Sequence, residues 1–407
     1  MNKKQNTEYD VVIIGGGMVG ASLVAALKNH PEKKIAVVEA YPVESSSQPS
    51  FDDRSIALSY GSRRIWEAMG LWSLLETEIE AIKSIHVSDK GHLGATRLHH
   101  TEESVEALGY VAENKVIGRV LMKEIESLKH VDWICPARIQ SLEQDENSVT
   151  IKVKTEKEEI LLKSKLLVAA DGVQSVTREL AGIGVIQEDY QQTAVIANVQ
   201  TDQLHHGVAY ERFTHTGPVA FLPMTENRYS VVWTCQREES LRIMNLSDAE
   251  FVDELQQHFG FRAGNIQKTG ERFSYPLMYT ESEQITKGRV VIVGNAAHAL
   301  HPVAGQGYNL ALRDVAELAE LIVNSEDPGH NLLLAEYHVK RLKDMHTIYR
   351  ITDSLVKVFS NKIYALGHLR AMGLISVNLA SPVRSLMARQ SMGLLGRMNK
   401  MQRRLPL

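Results

Sequence analysis

Cysteine is scarce in this chain of 407 residues: Cys135 and Cys235 are its only two, 100 positions apart. That spacing matches no CxxC or Cys/His ligand pattern, which argues against a disulfide framework or a structural zinc site and leaves buried free thiols as the expectation. Long apolar runs are missing too. Ser376 and Asn378 interrupt even the stretch at residues 371–380, well short of the ~18 apolar residues that cross a bilayer. The first ten residues, MNKKQNTEYD, lack the apolar core of a secretory signal, so a cytoplasmic chain is expected. Acidic residues are absent after Asp353, where nine Lys and Arg follow, leaving about −13 on the rest of a chain whose total is −4. Such a basic end suits an anionic partner, and peripheral contact with an anionic membrane is the expectation. No nucleic-acid partner is expected.

What is present is enough for two globular lobes, with 44% hydrophobic and 23% charged residues. Residues 11–14 form a buried-strand run, 15–20 a glycine turn, 19–27 a helix and 35–39 a second strand, which together read as a βαβ unit. Residues 82–98 read as a hairpin leaving that lobe, and helical periodicity returns at 116–128. Another buried strand at 161–170 ends at Asp171-Gly172. Strand-like runs at 194–199, 208–213, 219–222 and 229–234 supply most of a second sheet. First-lobe character resumes at 290–293, an amphipathic helix follows at 308–323, and beyond Tyr337 the chain is helical, with Ile348, Ile351, Leu355 and Val358 on one face.

Gly15-Gly-Gly17-Met-Val-Gly20 fits GxGxxG between a strand and a helix, the context in which it marks a dinucleotide site. Gly15 serves the tight turn, Gly17 the approach of the pyrophosphate, and Gly20 the packing of helix on strand, while the helix start favours phosphate charge. Glu39, 19 positions after Gly20, suits the adenosine ribose hydroxyls. This motif alone does not separate FAD from NAD.

Three further segments bear on that choice: Ala170-Asp171-Gly172-Val-Gln-Ser175-Val-Thr-Arg178; Gly294-Asn295-Ala-Ala-His298-Ala-Leu-His301-Pro302; and Gly305-Gln-Gly307-Tyr308-Asn309 at a helix start. In isolation Asp-Gly marks only a turn, and His298 with His301 lacks the third ligand of a metal site, so no metal is expected. Together the segments resemble the single-component FAD-dependent aromatic hydroxylases. The stretch Tyr210-Glu-Arg-Phe-Thr-His-Thr-Gly-Pro-Val-Ala-Phe-Leu-Pro-Met224 is similar to the ubiquinone-biosynthesis branch of that family. One departure is Asn295, where most members carry Asp; its amide still bonds a ribityl hydroxyl but adds no charge.

The resemblance implies an α/β fold of para-hydroxybenzoate-hydroxylase type: a discontinuous Rossmann-like FAD-binding domain (1–81, 100–185 and 284–340), an inserted, mainly antiparallel substrate sheet (82–99 and 186–283), and a helical region at 341–407. It implies that FAD is held by Gly15, Gly17, Gly20, Glu39, Arg54, Arg119, Asp171, Gly172, Gly294, Asn295, Pro302, Gly305, Gly307 and Asn309, with His298 and Tyr308 as catalytic neighbours of the flavin. NAD(P)H and dioxygen are the implied cosubstrates, acting through a flavin C4a-hydroperoxide. The implied substrate is a polyprenylated phenol, 2-polyprenyl-6-methoxyphenol first, and other ubiquinone-biosynthesis enzymes are implied partners. Hydroxylation of 2-polyprenylphenol at position 6, or a reductase that inserts no oxygen, stays open.

Overall fold

A computed structural model describes residues 7–42, 54–299, 305–359 and 364–407. Its first sheet takes the strands with continuous apolar runs. β1 (Thr7–Ile14) lies between β11 (Glu159–Ala169) and β2 (Ile35–Val38), with β8 (Val131–Ile134) and β18 (Val290–Ile292) outside them, all parallel. Val11, Val12, Ile13, Val37 and Leu167 are fully buried, as strands covered on both faces require. Antiparallel strands β9 (Ala137–Gln144), β10 (Val149–Thr155) and β17 (Thr286–Lys287) extend it. Helices α1 (Met18–Ala26), α4 (Asn114–Ile125), α5 (Val176–Leu180) and α8 (Gly307–Val323) connect its parts. A small sheet of β3 (Ser55–Ser59), β7 (Gly109–Glu113) and β4 (Glu80–Ile82), with α2 (Tyr60–Ala68) and α3 (Trp72–Leu75), completes the first lobe.

The second sheet has eight strands in the order β19-β16-β12-β15-β14-β13-β5-β6. They are β5 (Ser84–Asp89), β6 (Ala95–His99), β12 (Val185–Thr201), β13 (Val208–Thr214), β14 (Gly217–Met224), β15 (Arg228–Gln236), β16 (Ile266–Ser282) and β19 (His298–Ala299). Every pair is antiparallel except β13 with β5, where the early hairpin docks on the later sheet. Helices α6 (Arg237–Met244) and α7 (Asp248–Phe259), which the strand-like reading of this region missed, cover one face through Ile243, Phe251 and Phe259.

Two boundaries and one burial differ from expectation. β19 belongs to a segment assigned to the FAD lobe, yet it pairs with β16 and so stitches the two lobes together. The helical region does not begin at 341, because α9 (Asn331–Phe359) runs through that point. Cys235 is buried, but Cys135 is only half-buried; both are free. Beyond α10 (Tyr364–Leu379) and α11 (Ser381–Ser391) the end folds back, burying Met392 and Met401 and placing Arg404 on the Tyr60 hydroxyl.

The joint between lobes is polar. Asp314 on α8 is 3% exposed; its Oδ2 accepts from the Gly294 amide at 3.1 Å and is bonded to His298 Nε2 at 2.8 Å, and its Oδ1 accepts from Arg341 Nε of α9 at 2.7 Å. Burial alone raises this carboxyl, but Arg341 and His298 outweigh it and hold it down at about 2. Its contribution to stability is therefore complete above the ordinary carboxylate range and is lost as pH falls from about 4 toward 2. Asp314→Asn is expected to cost up to about 3 kcal/mol at neutral pH, because it takes from buried Arg341 one of its two carboxylate partners and leaves it Asp344. The difference from the parent should shrink in thermal unfolding below about pH 3.

Candidate active site

The site begins at the turn between β1 and α1. Gly15 has φ +100°, and a Cβ there would lie 2.5 Å from the Ala170 oxygen; at Gly20 it would lie 1.9 Å from the Gly15 oxygen. Strand, turn and helix thus approach within distances only glycine allows. Gly17 is the N-cap of α1 and no side chain caps the helix, so its first amides are left for an outside acceptor. Glu39, buried just after β2, accepts from the Gly16 amide through Oε2 and from the Tyr41 amide at 2.8 Å through Oε1. A carboxylate oxygen has a second lone pair, so each can still receive a hydroxyl.

The Asp-Gly turn follows β11, where Asp171 accepts from Ser175 Oγ, the Thr177 amide and Thr177 Oγ1, and thereby caps α5. Gly172, at φ +83°, has open space where a Cβ would project. Buried Arg178 bonds the Ala296 oxygen at 2.9 Å and the Val173 oxygen at 3.0 Å, tying this turn to the loop that presents Asn295. Asn295 is exposed there, while Gly294, at φ +59°, packs against Val19 of α1. The α1 turn and the Asn295 loop therefore adjoin.

Asn309 does something other than expected. Its Oδ1 accepts from the Ser59 amide and Ser62 Oγ, and its Nδ2 donates to the Ala57 and Gly305 oxygens, all at 2.7–2.8 Å. A side-chain amide has two donors and two acceptor lone pairs, so none is left for a cofactor. Asn309 instead fixes Gly305, at φ +59°, and the start of α8 against β3 and α2. That start has no side-chain cap, and Gly307 faces open space. Pro302 lies outside the described residues.

The two catalytic candidates are held by protein partners. His298 is buried against Asp314 in the joint described above. Tyr308 is buried with its hydroxyl 2.8 Å from Ser22 Oγ, which itself donates to the Met18 oxygen, and burial pushes the phenol up, so it stays protonated. These contacts make Tyr308 a clamp between α1 and α8. Arg119 is exposed and paired with Glu78 at 2.6 Å. Arg54 is the candidate that reaches across the lobes: its guanidinium lies 4.7 Å from the ring centroid of Tyr275 in β16.

Tyr275 belongs to a face of the second sheet that the sequence reading did not single out. Along β12, β14 and β15, Val195, Val199, Val219, Phe221 and Val231 are sealed under α6 and α7, whereas the alternate residues Ile196, Ala220, Leu222 and Val232 are partly open. Ala209 on this second face packs with Ile82 and Val111 of the first lobe, so the face turns toward it. Glu211, two residues on, sits opposite Val87 and Ala220 in the same apolar surface. A separate cavity of about 350 Å³, lined by His86, Arg97, Tyr210 and Arg262, lies on the other side of β13, since Tyr210 alternates with Glu211.

The first-lobe geometry fits a dinucleotide whose phosphates meet the uncapped start of α1 and whose ribose meets Glu39. A family model described as FAD binding domain matches residues 8–351. The chain belongs to the FAD-dependent hydroxylase family. It is 36% identical over 393 residues to the ubiquinone hydroxylase UbiL of Rhodospirillum rubrum, covering 95% of this chain and 90% of that protein. It is 27% identical to the 3-demethoxyubiquinol 3-hydroxylase of Escherichia coli, covering 96% of this chain and all of that one. In fold it is similar to p-nitrophenol 4-monooxygenase PnpA from Pseudomonas putida, with a TM-score of 0.80 at 19% identity across 97% of this chain and 100% of that one. As a hydroxylase of this family, the protein uses FAD with NAD(P)H and dioxygen.

Gly20→Ala is expected to abolish retention of FAD, read from the flavin absorbance of purified protein, because the turn cannot close around a Cβ. Asn309→Ala is expected to lower stability by about 1–3 kcal/mol, by leaving buried partners unpaired. It should also weaken FAD binding in a titration of the apoprotein, without any direct contact being lost.

Proposed function

We propose that this hydroxylase oxygenates the ring of a polyprenylated phenol in ubiquinone biosynthesis, with 2-polyprenyl-6-methoxyphenol as substrate and 2-polyprenyl-6-methoxy-1,4-benzoquinol as product. The observation that carries this reading is the half-open apolar face of the second sheet turned toward the FAD lobe, together with the likeness to ubiquinone hydroxylases over nearly the whole chain. A phenol with an isoprenoid tail matches such a surface, since burying apolar area contributes about 25 cal/mol per Å².

Bound FAD supplies the activation of dioxygen. The chain's own residues do the rest. The α1 amides with Gly15, Gly17 and Gly20 take the pyrophosphate, Glu39 the ribose, Asn295 the ribityl chain, and the open turn at Asp171-Gly172 adjoins them. Arg54, stacked on Tyr275, joins the lobes beside the cleft, and the apolar face excludes water from the reacting ring. The uncapped start of α8, with Gly305 and Gly307, would offer amides to negative charge on a bound flavin.

The E. coli relative gives a second ring position a claim. Deleting the gene and identifying the accumulated prenylated phenol by mass spectrometry decides between them. Accumulated 2-polyprenyl-6-methoxyphenol supports the reading, whereas 2-polyprenylphenol or 3-demethoxyubiquinol moves the assignment to that step. Label from isotopic dioxygen retained in the product excludes a reductase.

We also propose that the C-terminal helices touch an anionic membrane. Arg370, Arg384 and Arg404 are engaged by Asp89, Glu102 and Glu67, so this reading rests less on their charge than on exposed Met372, Leu379 and Leu386 beside exposed Arg389. Truncation here would strip buried Met392 and Met401 from the body, so substitution is the cleaner probe. L379D/L386D is expected to lose sedimentation with phosphatidylglycerol vesicles while keeping its flavin; unchanged sedimentation rejects the contact.

A further inference from the structure

Glu211 of β13 lies on the face of the second sheet that is turned toward the FAD lobe. Its neighbours there are apolar. Val87 stands opposite on β5 and Ala220 on β14, with Ile196, Leu222 and Val232 beyond. No hydrogen bond or ion pair joins its carboxylate to any described residue. The charged groups nearest in register are elsewhere engaged: Asp89, two residues from Val87, is held by Arg370 and His92, and Arg212 points to the opposite face, where it bonds the Phe259 oxygen. Yet the side chain is partly accessible rather than sealed. An isolated carboxyl in an apolar setting is costly unless a ligand completes it. Burial pushes this one up to about 7, where a carboxylate is well matched to accept a proton at neutral pH.

We propose that Glu211 accepts the phenolic proton of the substrate, which rests on the phenol-hydroxylase reading above. The ionised carboxylate receives a hydrogen bond from the ring hydroxyl. The phenolic O–H bond breaks and the carboxyl O–H bond forms, and the electron pair left on oxygen enriches the ortho and para carbons that receive the oxygen atom derived from dioxygen. As aromaticity returns, the substituted carbon releases its hydrogen as a proton to solvent, and the proton on Glu211 returns to the phenolic oxygen. NAD(P)H and dioxygen remain the reductant and oxidant of the family reaction. The carboxylate ends as it began.

The test compares the FAD-loaded wild-type chain with E211Q and E211D in two measurements. In the first, 4-nitrophenol is bound and its ionisation is followed by its own absorbance across pH. A carboxylate beside the hydroxyl raises the pH at which the bound phenol ionises in the wild type, and E211Q brings it down toward that of the free compound. In the second, hydroxylation of a short-chain 2-prenyl-6-methoxyphenol is expected to fall about 100-fold in E211Q, with the acid limb near pH 7 removed and peroxide formed per NAD(P)H increased, and to be partly restored in E211D. Identical titrations and rates in wild type and E211Q overturn the assignment. A titration that depends on Glu211 in a chain that hydroxylates no prenylated phenol supports the proton acceptor while overturning the substrate reading.

Discussion

Asp314 is the constraint on which the arrangement of the two lobes depends. It receives the Gly294 amide from the loop that presents Asn295, the His298 ring from the strand joined to β16, and the Arg341 guanidinium from α9. The Asn295 loop, the second sheet and helix α9 are thus referred to one buried charge. Removing two ions from water is expensive, and their attraction offsets that cost only where geometry and extra hydrogen bonds are good, as here. The cluster sets relative position more surely than it adds net stability.

A second layer of polar contacts works the same way at shorter range. Asn309 fixes the start of α8 on β3 and α2, Tyr308 locks that helix to α1 through Ser22, and Arg178 joins the Asp-Gly turn to the Asn295 loop. The Asn309 side chain is saturated by protein, and Tyr308 and Arg178 are anchored on protein partners, with Arg178 Nε left unpaired. They position backbone amides and glycines, which under the proposed reading would supply the cofactor with fixed dipoles that need no reorganisation during reaction.

The first lobe was largely legible from the residues. A glycine turn between an apolar strand and a helix is a local pattern, and the clashes a Cβ would meet at Gly15 and Gly20 explain why it is written as it is. The hairpin at β5 and β6 was legible for the same reason, as were the four central strands of the second sheet. Helices α6 and α7 were hidden among strand-like runs, and β16 was only partly seen. The join at β19 was hidden as well, because two residues carry no periodicity.

Within the candidate site, sequence by itself located the turn glycines Gly15, Gly17 and Gly20, Glu39 after β2, and Gly172 and Gly294, whose φ is positive in the structure; that they hold FAD is part of the proposal. It could not tell whether a polar side chain faces a ligand or a neighbour. Only the tertiary structure decided that His298 belongs to Asp314, that Tyr308 belongs to Ser22 a full 286 positions away, and that the Asn309 side chain has nothing left to offer a cofactor. The same holds for Glu211, whose apolar setting is assembled from β5, β14 and β15. Hydrogen-bond saturation and desolvation depend on what surrounds an atom in three dimensions, and strand pairing across long sequence separations supplies those surroundings.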